Sequence, residues 1–158
     1  LPTQAEAAGI TVRPADRADL AGISALEKSF EAPSAYPPFF FAQALRHFGR
    51  GLIVAAYHEE VFGYVLGGGG QDGHAWNLWS LVVGEKYRGQ GIGGKLLEAA
   101  LQQSIRDGAP SVALTVSPKN EPAVALYRKY GFVATDHLPD EFGPAEDRIL
   151  MVSHHADR

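Results

Sequence analysis

Residues 83–95 read V-G-E-K-Y-R-G-Q-G-I-G-G-K, a glycine-rich turn directly behind an apolar run (residues 78–83) and directly before a strongly periodic stretch. Backbone N–H groups at a helix start have no intrahelical partner, and the helix dipole adds partial positive charge there. Without Cβ atoms, the backbone of such a turn can approach a diphosphate closely and donate several hydrogen bonds to it. The turn therefore reads as a pyrophosphate cradle.

Downstream, residues 90–106 predict a helix with Ile92, Leu96, Leu97, Ala100, Leu101 and Ile105 on one face, stopped by Gly108 and Pro110. Residues 112–116 read as a strand. Asn120 then caps a helix with Pro122 in its first turn and Val124, Leu126, Tyr127 and Tyr130 on its apolar face, ended by Gly131. Residues 132–135 and 148–152 read as final strands joined by a polar loop.

Upstream, residues 10–13 alternate as a short strand does. Asp16 and Asp19 form a capping-box pattern ahead of Leu20, Ile23, Leu26 and Phe30 at helical spacing, with Pro33 as the stop. Pro37 and Pro38 open a second helix carrying Phe40, Ala44, Leu45 and Phe48, which Gly49 and Gly51 close. Residues 52–57 and 61–66 read as a hairpin, residues 67–73 as a flexible glycine-rich loop, and residues 75–83 as a third strand. The order β-α-α-β-β-β-α-β-α-β-β predicts an α/β (α+β) fold. It would be a single domain with one mixed, mostly antiparallel sheet of six or seven strands and helices on both faces. Residues 10–152 are the expected domain, 1–9 a flexible leader and 153–158 a tail.

Composition bounds the chemistry. The 158 residues suffice for one core, and none is cysteine, which excludes thiolate nucleophiles, disulfides and Cys-based zinc sites. The formal charge of −4 gives no electrostatic footprint for nucleic acid and suits a cationic substrate. No apolar run approaches the ~18 residues needed to cross a bilayer. No signal-peptide pattern opens the chain, so no membrane partner is expected and the cytoplasm is the default compartment. His154-His155 is a lone pair near the end of the chain, and no metal site is expected.

Gly89-x-Gly91-x-x-Gly94 also satisfies the dinucleotide fingerprint. Such a site needs its glycine almost immediately after the strand, whereas Gly84 to Arg88 intervene here. It also needs an acidic residue at the end of the next strand. That strand ends Val116-Ser117-Pro118, and Asp107 belongs to a helix end. Both requirements weigh against NAD.

Arg88-Gly89-Gln90-Gly91-Ile92-Gly93 resembles the R/Q-x-x-G-x-G/A signature of the GNAT superfamily of acetyl-CoA-dependent N-acetyltransferases. The strand Leu81-Val82-Val83 before it and the run from Asn120 to Phe132, similar to N-x-x-A-x-x-L-Y-x-x-x-G-F, fall in that family's order and spacing. The likeness extends over residues 10–152. Within the superfamily, the Ala125-Leu126-Tyr127 run, the segment from Tyr36 to Phe41, and Glu146-Asp147 resemble the N-terminal peptide and ribosomal-protein acetyltransferases.

The resemblance implies a role for each motif. Acetyl-CoA would be the acyl donor, held by Leu81, Val82, Val83, Arg88, Gly89, Gln90, Gly91, Ile92, Gly93, Gly94, Asn120 and Tyr127. Backbone groups near Leu81 and Val83 would bind the pantetheine arm and face the thioester oxygen. Tyr127 would be the general acid that protonates the departing thiolate. The same residues have plainer readings: Leu81 and Val83 as strand core, Tyr127 as helix packing, Asn120 as a cap. Phe30, Tyr36 and Phe39 would contact the acceptor, a small primary amine or a peptide α-amine. The base stays open. Some relatives carry glutamate where this chain has Thr115, another common acidic position is Asn77, and His74, Asp72, Glu31 and Glu141 are loop candidates. The architecture is also compatible with a homodimer. A different class, an acyl-CoA-binding regulatory module with little catalysis, is kept open by the missing glutamate.

Overall fold

The computed structural model describes residues 9–29 and 35–158. Strand β1 (Thr11–Pro14) pairs antiparallel with β2 (Leu52–Tyr57), which continues antiparallel into β3 (Glu60–Gly69) with a bulge between Ala55 and Ala56. Helices α1 (Leu20–Lys28) and α2 (Pro38–Phe48) stand between β1 and β2 in the chain. Next come β4 (Trp76–Val83), α3 (Ile92–Arg106), β5 (Ser111–Val116), α4 (Glu121–Lys129), β6 (Val133–Leu138) and β7 (Arg148–His154). The seven strands follow the hydrogen-bonded order β1-β2-β3-β4-β5-β7-β6. The β4–β5 pair is parallel, whereas β5–β7 and β6–β7 are antiparallel. The element order expected from the sequence is thus observed, in a mixed seven-stranded sheet.

Two compact units are present, one within residues 1–67 and 80–103, the other in residues 68–79 and 104–158. In the first, Ile23, Phe41, Ala44, Leu52, Val54, Ala56, Val61, Tyr64, Leu66 and Val82 form a continuous buried cluster. Asp16 and Asp19 close the expected capping box: Ala18 N–H donates to Asp16 at 2.8 Å, and Asp16 N–H donates to Asp19 at 2.8 Å. Asp19 is also held by Arg13, whose guanidinium donates to both carboxylate oxygens at 2.7 and 3.0 Å. Pro37 caps α2 in extended geometry and Pro38 occupies its first turn, where the missing N–H costs nothing.

In the second unit the antiparallel β5–β7 ladder runs from Ser111↔His154 to Val116↔Ile149. Fully buried Trp76 donates its indole N–H to Asp107 at 2.9 Å. Asp107, the one acidic residue near the count for a ribose contact, is therefore engaged in anchoring the start of β4. Met151 and Phe132 complete the buried interior, at 0 and 2 % exposure.

The structure differs from the sequence expectation in three places. Residues 67–69 belong to β3 rather than to a loop, and Gly67 and Gly68 are buried. A Cβ on Gly70 would stand 2.5 Å from that of Ala109, so this glycine reflects close packing rather than flexibility. Strand β6 reaches Leu138, farther than expected, because it is an exposed edge strand whose polar residues Asp136 and His137 pair through their backbones with Leu150 and Ile149. Backbone pairing carries no hydrophobic signature. Strand β7 runs to His154, and His155 meets Ser104 Oγ at 3.0 Å.

Candidate active site

The glycine turn lies in the first unit. Gly84 N–H donates to Phe62 O at 2.9 Å, which ends β4, and a short 3-10 turn (Glu85–Tyr87) follows. Tyr87 anchors it. Its ring stacks on Phe62 at 4.0 Å, its hydroxyl donates to the Glu60 carboxylate, and the residue is 5 % exposed. In the sequence Tyr87 is one of five residues that separate the strand from the glycines. Its partners are 25 and 27 positions away, which is why nothing local announced it. Arg88 then returns to the strand end, Nε donating to Val83 O at 3.2 Å.

Gly89 and Gly91 adopt φ of 78° and 80°, the left-handed region that side-chain-bearing residues avoid. A Cβ at either would meet nothing within 4 Å, so the constraint is conformational and the backbone is open to solvent. Lys95 N–H donates to Gly91 O at 3.2 Å, closing the first turn of α3. The N–H groups of Ile92, Gly93 and Gly94 therefore point out of the helix start without an intrahelical acceptor. The Ile92 side chain is 3 % exposed and pins this end of the helix. Open backbone donors, a helix dipole and exposed Arg88 and Lys95 fit an anionic diphosphate.

Strand β4 presents two different faces. Val82 belongs to the buried cluster, while Leu81 and Val83 are half-buried. Its parallel ladder with β5 comprises Trp76↔Val112 and Asn77↔Ala113. Leu81 and Val83 lie outside those pairs. Close by in the first unit, a cleft of about 850 Å³ is bordered by Leu26, Ser29, Glu59, Glu60, Lys86 and Tyr87.

The aromatic segment divides by depth. Phe41 is fully buried, Tyr36 stacks on Phe40 at 4.3 Å over the core, and Phe39 is 71 % exposed. Phe30 and Glu31 lie outside the described residues. Glu27, which no sequence signal singled out, is buried beside this segment. It accepts from Tyr36 N–H at 2.9 Å and from the Tyr64 hydroxyl, while the Tyr64 oxygen lies 2.9 Å from Ser80 Oγ.

Asn120 and Tyr127 lie in the second unit. The Asn120 side chain accepts from Ala123 N–H at 3.3 Å as the cap of α4. Tyr127 is 7 % exposed, with its ring 5.7 Å from that of Phe132. Burial pushes its phenol up to about 12, against a smaller opposing pull from the Arg148 cation. A hydroxyl in that state is protonated throughout the neutral range and can donate. Tyr130 is the half-buried cap residue at the other end of the helix.

The strand position that carries glutamate in some acetyltransferases is filled differently. Thr115 receives Arg148: Nε donates to Oγ1 at 3.2 Å and Nη2 to the carbonyl at 2.8 Å. The same guanidinium lies 4.2 Å from the Phe142 ring centroid. A cation, not a carboxylate, therefore occupies this place. Asn77, Asp72, His74 and Glu141 are exposed. The 139–147 connection is ordered by Asp147, which accepts from His137 at 2.8 Å and from Asp140 N–H at 2.9 Å. Among the described residues, no group of three or more His, Cys, Asp or Glu side chains is arranged to hold a metal.

Comparison with known proteins agrees with these motifs. The family model for the acetyltransferase (GNAT) family matches residues 18–132. An N-alpha-acetyltransferase of Saccharolobus solfataricus is 32 % identical over 133 residues, covering 75 % of this chain and 78 % of that protein. One from Sulfolobus acidocaldarius is 31 % identical over 154 residues, or 90 % of each chain. The crystal structure of Ard1 from Thermoplasma volcanium superposes with a TM-score of 0.83 at 23 % identity, over 92 % of this chain and 97 % of that one.

Proposed function

The chain belongs to the GNAT acetyltransferase family and is an N-acetyltransferase, and from that premise we propose that its acceptor is the α-amine of a peptide and its donor acetyl-CoA. The observation that carries the acceptor assignment is the 31 % identity to an N-alpha-acetyltransferase across 90 % of both chains. Amine chemistry supports it. An α-amine titrates near ~7.7–8.0 and is partly neutral at pH 7, whereas a lysine near ~10.4 is almost wholly charged. Where the usual glutamate is replaced by a threonine held by arginine, the acceptor that needs least deprotonation is favoured. The relatives are enzymes, and no observation favours a regulatory module.

In this reading the N–H groups from Arg88 to Gly94 hold the coenzyme diphosphate. Backbone groups at Leu81 and Val83 hold the pantetheine arm and face the carbonyl oxygen as charge develops on it. Asn120 adds a contact to that arm. The neutral amine nitrogen attacks the thioester carbonyl, and the C–N bond forms as the nitrogen gives up one proton to a base. The C–S bond breaks, and Tyr127 gives its proton to the thiolate and regains one from solvent before the next turnover. Tyr36 and Phe39 supply aromatic surface for the first residues of the peptide.

An acceptor panel tests this: peptides with free N-termini, N-blocked lysine peptides, polyamines and arylalkylamines, followed by coenzyme thiol release. The free-N-terminal peptides are expected to turn over fastest at pH 7. Faster turnover of any other class would overturn the acceptor assignment.

A further inference from the structure

The Glu27–Tyr64–Ser80 chain is a buried titratable cluster that the scheme above leaves unused, and its hydrogen bonds have a defined polarity. Tyr64 is fully buried and commits its proton to the Glu27 carboxylate. The contact between Tyr64 and Ser80, at 2.9 Å, must then be donated by Ser80. Every hydroxyl in the chain thus points inward toward the carboxylate. Ser80 Oγ then keeps its acceptor capacity for a further donor, on a residue that is half-buried rather than sealed. Ser80 immediately precedes Leu81 on β4, the segment assigned to the thioester. The second oxygen of Glu27 is held by Tyr36 N–H, at the start of the aromatic segment assigned to the acceptor. A wire oriented this way can take up a proton at its outer end and deposit one at its inner end.

We propose that Glu27 is the proton acceptor for the amine, acting through Tyr64 and Ser80. The amine N–H breaks as its proton reaches Ser80 Oγ, directly or through one water. The Ser80 proton moves to Tyr64, and the Tyr64 proton moves to Glu27, which becomes a neutral carboxylic acid. After product release the sequence reverses and the proton returns to solvent. No other reactant is needed, and neither hydroxyl bears a net charge at the end of the transfer. Glu27 touches no substrate atom, so it is a positioning residue and terminal acceptor, with Ser80 as the contact.

Glu27→Gln tests the wire without emptying the core. The amide oxygen still accepts from Tyr36 N–H, but the amide nitrogen can only donate to Tyr64, which reverses the chain. Tyr64→Phe removes the middle link and keeps the ring against Phe41. The readout is kcat/KM for the best amine acceptor of the wild type as a function of pH, whatever class that amine proves to be. The test therefore stands apart from the peptide assignment. Each variant is expected to lose about 100-fold in kcat at pH 7, with acetyl-CoA affinity unchanged by calorimetry and a deficit that narrows toward alkaline pH. The double variant is expected to be no worse than either single one, because a wire is broken only once. A Glu27→Gln profile that superposes on the wild type, a loss confined to KM, or additive losses would overturn the proposal. If Glu27→Gln fails to fold, Tyr64→Phe and Ser80→Ala carry the same test.

Discussion

Tyr127 concentrates the chemistry assigned to α4 in one proton. Its phenol is raised to about 12, mainly by burial, so the protonated form persists as pH climbs through the usual tyrosine range near ~10. A rate loss near pH 10 in the pH profile therefore cannot be charged to Tyr127. Tyr127→Phe keeps the ring beside Phe132 and removes only the donor. The expected outcome is a fall in kcat of about 100-fold, with acetyl-CoA dissociation unchanged within about twofold. Wild-type turnover in that variant would remove Tyr127 from the mechanism. Asn120, Tyr127 and the glycines were legible in the sequence because their constraints are local: a cap at fixed offset, a helix face, a turn. Glu27 and Arg148 were not. Their partners Tyr64 and Thr115 stand 37 and 33 residues away, and no spacing rule reaches that far.

At the scale of elements, the cradle depends on backbone conformation rather than on room. Gly91→Ala meets no atom within 4 Å, yet must hold φ near 80°. The strain is worth about 1–2 kcal/mol. We expect a 5- to 30-fold loss of acetyl-CoA affinity by calorimetry, smaller for Gly91→Asn because asparagine tolerates this region better. The entry to α1 makes a different prediction. Arg13 holds the Asp19 carboxylate below its ordinary range by hydrogen bonding, against the opposing effect of burial. Its folded value lies below the unfolded one. The stabilisation is therefore complete above about pH 4 and fades as pH falls through the folded value. Asp19→Ala is expected to cost about 1–3 kcal/mol in urea unfolding at pH 7 and visibly less at pH 2. An equal cost at both would show that the loss is packing alone. Elements with a strong apolar period were legible. The glycine end of β3 and the polar length of β6 were not, since close packing and backbone pairing leave no periodic trace.

For the whole molecule, the preference between amines follows from titration rather than from any single contact. Between pH 7 and 10 the neutral fraction of an α-amine saturates, while that of a lysine side chain keeps rising. The ratio of kcat/KM for a peptide α-amine over an N-blocked lysine peptide is expected to fall by at least tenfold across that interval. A constant ratio would mean that shape, not protonation, selects the acceptor. A second property of the whole chain bears on how all these measurements can be made. It contains no cysteine, and its one methionine, Met151, is fully enclosed. Every free sulfhydryl that appears during turnover therefore belongs to released coenzyme. Thiol-reactive dyes can stay in the cuvette throughout without labelling a protein thiol, and product formation can be followed continuously.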